Sequence, residues 1–325
     1  MTQVEEPYED MFLPSPDTLV VLGNGFDLDL GFRTSYKDFC GSNNELPLDE
    51  GGFPFAKGAY RDNYHDLGEF IRTANQIDKW YDLENLLSEY GDKRKMVFPN
   101  DNEVSDIQNK QDREDYYSLV DSLRKYLSAQ DYSRPNKDSV AAKVFLAAYS
   151  SIEQPLVYTF NYTDIEAIGS SLGINNKIYA SYVHGSLKRR NIILGVGDYS
   201  SLPRSLSFMY KTDNVSYRKN RLMEDLQKCS TLVIFGLSLS PVDYPYFQDM
   251  FASLAGGSAR KYIRIITYDD SSREDILYNL RGMNRGMIKL MNYSDIDVIR
   301  TKGNVDEVKV QELIQQLTRQ HEYGI

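Results

Sequence analysis

The feature that most constrains this 325-residue chain is an apolar run that breaks straight into glycine. Leu19–Gly23 (LVVLG) is followed at once by Asn24-Gly25-Phe26-Asp27. A β-strand covered on both faces reads as a short continuous apolar run rather than as an alternating one. Four further runs share that character: Leu156–Thr159, Ile192–Val196, Leu232–Gly236 (LVIFG) and Ile263–Thr267. Helical spacing shows in Tyr244, Phe247, Phe251 and Leu254, and again in Val310, Leu313, Ile314 and Leu317. Strands alternating with helices predict an α/β fold built on a parallel sheet.

Residues 41–136 break the rhythm. They open with a Gly/Pro/Asn-rich stretch, then carry helical patterns near Leu67–Ile77, Trp80–Tyr90 and Tyr116–Leu127, separated by a polar segment. We read them as a mainly helical insertion after the first strand, within a domain spanning 18–325. Residues 1–17 form an acidic, Pro-punctuated tail without the basic and apolar regions of a signal peptide. No apolar run approaches the roughly 18 residues of a membrane span, so a cytoplasmic protein without membrane attachment is expected.

Composition narrows the function. Lys plus Arg number 37 against 47 Asp plus Glu, a net charge of −10, which disfavours a nucleic-acid binder because counterion release needs a basic face. Cys40 and Cys229 are the two cysteines, and His65, His184 and His321 the three histidines. That scarcity excludes a four-cysteine zinc module and a disulfide scaffold, and no metal is expected.

The loop after the first strand is where open α/β sheets bind phosphates, because glycines let backbone N–H groups approach an anion. The dinucleotide fingerprint G-x-G-x-x-G fails here, since Leu28 stands where its third glycine would be. A tight strand-to-helix turn explains Gly23 and Gly25 equally well. His184, before a glycine, suits either a backbone contact or base chemistry near its ordinary pKa of ~6.5. Asn161 could cap the following helix or hold a ribose or water, since it offers donor and acceptor without charge. Each lies just beyond an expected strand. Ser238 and Leu239 mark a second strand-end loop, either a nucleotide-ribose contact or a turn favoured by Pro241. Asp243 reads as a helix cap or a ligand contact, and Asp198 is similarly divided. Asp82 and Glu84 lie two apart on a helical pattern and do not face each other, which argues for a structural or lid role rather than paired acid/base work. Trp80 and Tyr81 are candidate anchors of such a lid, or ordinary core.

The stretch GNGFDLDLGFRTSYKDF resembles the opening motif of the bacteriophage abortive infection AbiH family, with Arg33 at a usual proline. WYDLENLL (80–87), FNYTDIEAI (160–168), YVHGSL (182–187), ILGVGD (193–198) and GLSLSPVDYPYF (236–247) follow in the family's order. That family is in turn distantly similar to sirtuin-type NAD-binding domains. Gly23, Gly25 and Gly31 keep the sirtuin glycine spacing, and Asn161-Tyr162-Thr163, His184-Gly185 and Gly236-Leu237-Ser238-Leu239 are similar to further sirtuin segments. The resemblance implies a Rossmann-like sheet of sirtuin type, and the missing zinc cysteines point to NAD-cleaving defence proteins rather than deacylases.

What it implies for function is an anti-phage protein that hydrolyses NAD to ADP-ribose and nicotinamide on activation. Asn161 and His184 would be catalytic, and Gly23, Asn24, Gly25, Phe26, Asp27, Gly236, Ser238 and Leu239 would bind the nucleotide. NAD is then substrate, a phage-derived trigger or partner effector is expected, and so is a homo-oligomer. The alternative is a non-hydrolytic module that senses NAD, ADP-ribose or a signalling nucleotide and regulates an effector.

Overall fold

The structure, a computed structural model, describes residues 17–41, 67–73, 80–150, 154–198, 200–214, 217, 220–257, 260–283, 295–303 and 306–319. Six strands form one wholly parallel sheet: β1 (Thr18–Leu22), β2 (Leu156–Thr159), β3 (Ala180–Tyr182), β4 (Thr231–Phe235), β5 (Tyr262–Thr267) and β6 (Asp295–Arg300). Their spatial order is β3-β2-β1-β4-β5-β6, the Rossmann-like arrangement in which the chain leaves β1 first to one side and then to the other. β1 is therefore central, with Leu19 paired to Leu156 on one flank and Leu232 on the other. All five of its side chains are buried, as its unbroken apolar run requires.

Alternate β1 residues feed two cores. Leu19 and Val21 join the core covered by α8 (Asn220–Lys228), α9 (Tyr244–Ala255) and α10 (Asp270–Met283). Val20 and Leu22 face α1 (Asn24–Asp29), α6 (Val140–Tyr149), α7 (Ile165–Leu172) and α11 (Glu307–Arg319). The period-2 alternation of a strand sends its successive side chains to these two layers.

A third core lies outside the sheet. It gathers Tyr36 and Phe39 of α2 (Tyr36–Gly41), Leu67 and Ile71 of α3 (Leu67–Thr73), Leu83, Leu87 and Tyr90 of α4 (Trp80–Val97), and the apolar stripe of α5 (Asp106–Ser128). Among the described residues, everything between β1 and β2 is helix or loop. At its centre Arg94 and Asp112 form a fully buried ion pair, with the Tyr90 hydroxyl on the same carboxylate at 2.6 Å. α5 begins ten residues before the expected Tyr116, because Ser105 caps it by accepting from the Gln108 N–H at 3.2 Å.

The structure corrects one expected strand. Ile192–Val196 does not enter the sheet; its Ile192, Leu194 and Val196 are buried in the third core instead. Its backbone bonds go elsewhere: the Tyr116 hydroxyl donates to the Leu194 carbonyl at 2.5 Å, and the Ile193 N–H to the His184 carbonyl at 2.8 Å. β3 and β6 are the strands taking the remaining edge positions. Residues 1–16, residues 42–66 with His65, His321, and the side chains of Trp80, Tyr81 and Asp82 lie outside what the structure describes. Among the described residues, no helix is long and apolar enough to cross a membrane.

Candidate functional site

Two buried polar networks lie at the carboxyl ends of the strands, where open α/β sheets receive ligands. The first is built around Asp27. β1 delivers the chain into α1, and Asp27 falls on the inner face of that helix, 1% exposed. Its Oδ1 accepts from Asn161 Nδ2 at 3.0 Å and its Oδ2 from the Thr163 hydroxyl at 2.9 Å. Asn161 Nδ2 also donates to the Gly23 carbonyl at 3.0 Å, so the turn after β2 is tied to the turn after β1. Burial pushes the Asp27 carboxyl up to about 7, against the lowering effect of those two donors. Asn161 is not a helix cap: Asp164 caps α7, accepting from the Glu166 and Ala167 N–H groups at 3.1 Å each.

The glycines of the first loop are required by another backbone. Gly236, at φ +68°, lies so close that a Cβ on it would stand 2.4 Å from Gly25 Cα, and one on Gly25 would stand 2.6 Å from Gly236 Cα. Gly23 N–H donates to the Phe235 carbonyl at 2.8 Å and Gly25 N–H to the Gly236 carbonyl at 2.9 Å. The loops after β1 and β4 thus lock together at the point where the sheet order reverses. Phe26 is core, its ring edge-on to Phe145 at 5.3 Å and Phe235 at 5.6 Å. The Asn24 side chain accepts from the Thr34 hydroxyl at 2.7 Å. In the second loop Leu239 is fully buried at φ +50°, and the Ser238 hydroxyl lies 3.4 Å from Asp243 Oδ2. Asp243 closes a capping box on the turn Pro241–Asp243, accepting from the Ser240 N–H at 3.0 Å.

The second network surrounds His184, which sits just past β3 and is 8% exposed. Its Nε2 lies 3.0 Å from the Tyr246 hydroxyl and 3.5 Å from Lys211 Nζ. An ammonium group can only donate. In the tautomer with Nε2 unprotonated, Tyr246 and Lys211 both donate to it. The Tyr246 hydroxyl is in turn 2.5 Å from that of half-buried Tyr217, giving a file of hydroxyls that ends on the imidazole. Burial, and then the charge of Lys211, hold the His184 pKa well below its ordinary 6.5. The ring is neutral throughout the physiological range, not near half-titration as its type alone suggested. Phe160 packs edge-on against both rings, at 5.3 Å from His184 and 5.1 Å from Tyr246.

Two charges in this network were not assigned to it by sequence. Lys211, in the turn Lys211–Asp213, bonds Glu84 Oε1 at 2.5 Å, and Glu84 comes from α4. Both are buried, at 4% and 8% exposed. Asp243 lies in their field: burial and then Glu84 raise its pKa to about 7, opposed by Lys211. The strand-end loops therefore meet the helical segment in one polar cluster of Glu84, Lys211, His184, Tyr246, Tyr217 and Asp243. Lys211, in MYKTDN, carries no local signal of such a place. Glu84 was visible only as one of two acids on a helix, and it enters the site through that helix's inward face.

Asn161 and His184 sit in separate hydrogen-bond networks. Lys188 is on the surface, paired to Glu166 at 2.9 Å, and Arg33 is paired to Asp38 at 3.4 Å. Among the described residues, no group of three or more His, Cys, Asp or Glu side chains is placed to hold a metal ion.

A family model, bacteriophage abortive infection AbiH, matches residues 19–264, well over half of the chain. The chain belongs to the AbiH family. Family membership gives it a role in phage abortive-infection defence. No curated protein matches the chain. The AbiH match runs from β1 into β5 and so takes in every residue of both polar networks.

Proposed function

We propose that this AbiH protein defends by hydrolysing NAD to ADP-ribose and nicotinamide once infection is sensed, with the chemistry centred on His184. The observation that carries the reading is a buried, neutral histidine at a strand end with two tyrosine hydroxyls in file on its free nitrogen. Nicotinamide needs no general acid: the C1′–N bond breaks with its electron pair on the pyridine nitrogen, which departs neutral. A water oxygen then bonds C1′ and loses one proton. In this reading that proton passes by way of Tyr217 and Tyr246 to His184 Nε2, and from there to solvent, so that NAD⁺ and water yield ADP-ribose, nicotinamide and H⁺. An unprotonated imidazole is the form such a relay needs.

Asn161 acts here as a positioning residue, since its amide is engaged by Asp27 and the Gly23 carbonyl. In this reading the interlocked segments 23–27 and 236–239 make the floor against which the nucleotide lies. The resemblance of these loops to sirtuin segments supports NAD as the nucleotide.

Incubating the purified protein with NAD, alone and with lysates of phage-infected cells, tests the proposal. Nicotinamide release is expected in at least one condition. NAD binding without release in any of them would contradict hydrolysis and favour the non-hydrolytic sensor.

A further inference from the structure

We infer that Glu84 Oε2 is a ligand-binding position that accepts a hydrogen bond from a ribose hydroxyl of the bound nucleotide. The inference rests on the nucleotide reading above and adds to it a residue contributed by the helical segment. Its starting point is an unmet valence. An ionised carboxylate offers about four lone-pair sites on two oxygens. Oε1 of Glu84 is taken by Lys211 Nζ at 2.5 Å, while Oε2 is shut off from solvent and makes no hydrogen bond. Buried polar atoms are satisfied in the great majority of cases, so an orphan in a cluster of this kind calls for a donor.

The surroundings select the donor. A phosphate oxygen is ruled out, because Glu84 only accepts and Asp243 adds a second carboxyl to the same field. A cationic partner is already in place as Lys211, which fixes the carboxylate's direction. An uncharged hydroxyl brings the missing proton without adding charge. Of the rings around the cluster, Phe160 and Tyr246 are packed in the core and Tyr217 is half-buried, so Tyr217 is the ring against which a sugar can pack. Stability alone does not explain the pair, because apolar side chains in place of a buried ion pair are often as stabilising or more so. Held by Glu84, the ribose beside the scissile bond lies next to His184, whose Nε2 shares Lys211 with the carboxylate.

Isothermal titration of the full chain with ADP-ribose and with ADP, which lacks the second ribose, tests the assignment. The wild type is expected to bind ADP-ribose at least tenfold more tightly than ADP. Glu84→Gln keeps an oxygen for Lys211 but turns a donor toward the ligand, and should weaken ADP-ribose about tenfold with ADP unchanged. Glu84→Asp keeps the charge, withdraws the oxygen and should show the same selective loss, which covers the case that Glu84→Gln does not fold. ADP-ribose binding by either folded variant equal to wild type overturns the inference and leaves the nucleotide reading standing. A wild type that binds neither NAD nor ADP-ribose overturns both.

Discussion

The Asp27 and His184 networks are both buried and both lie at strand ends, yet they are built on opposite plans. Around Asp27 each carboxylate oxygen has a donor and the acid is pushed toward its neutral form. Around His184 a full ion pair is kept out of water and one carboxylate oxygen has nothing to accept. A closed set of matched hydrogen bonds serves to fix a turn. A cluster with unspent charge and an open valence is costly to fold and is better explained by what it binds. The strongest sequence motif of the chain, GNGFD, thus ties the turns after β1, β2 and β4 together, while the buried charges gather where the helical segment meets the later loops.

The largest effect should come from breaking the scaffold. Gly236→Ala places a Cβ against the Gly25 backbone at a positive φ. It should cost about 4 kcal/mol or more, summing a left-handed penalty and overpacking, as read by chemical denaturation. Next, His184→Gln keeps volume and an acceptor but cannot carry a proton. Nicotinamide release should fall by about 10²-fold or more with the melting temperature nearly unchanged. Third, Asn161→Ala removes a donor from Asp27 and from the Gly23 carbonyl, and should cost about 1–3 kcal/mol.

The last effect is a slope rather than a fixed loss. Asp27 and Asp243 titrate near 7 in the folded protein against 3.8 ordinarily, so the folded state holds more protons between those values. The contribution of these two carboxyls should therefore be fully present near pH 4, fall as pH rises to about 7, and level off above it, whereas His184, held below its ordinary pKa, works in the opposite direction below 6.5. Each carboxyl contributes at most about 1.4 kcal/mol per pH unit. Asp27→Asn should remove one of the two contributions, and denaturation at pH 5, 6 and 7 checks it.

The sheet was readable where strands are wrapped on both faces, since β1, β2 and β4 are apolar runs and β5 is one interrupted only by Arg264. β3 is three residues long and half-buried, and β6 alternates charged and apolar residues at the sheet edge, so neither carries that signature. Ile192–Val196 carries it for a different reason. The segment is apolar because the third core covers it, and burial pattern cannot tell a covered loop from a strand. For the site, His184 stood out because histidines are few. Lys211 and Glu84 did not, because what makes them notable is a contact between residues 127 positions apart in the chain, on a helix and a turn with no motif between them.

In the proposed reaction His184 takes the proton, whereas Asn161 holds the turn after β2 against the turn after β1. Nicotinamide release per folded molecule, measured side by side for His184→Gln and Asn161→Ala under the same activating condition, tests it most directly. At least a hundredfold loss is expected for His184→Gln and a rate within severalfold of wild type for Asn161→Ala, once its lower stability is allowed for. Retained release in His184→Gln, with abolished release in fully folded Asn161→Ala, would contradict it.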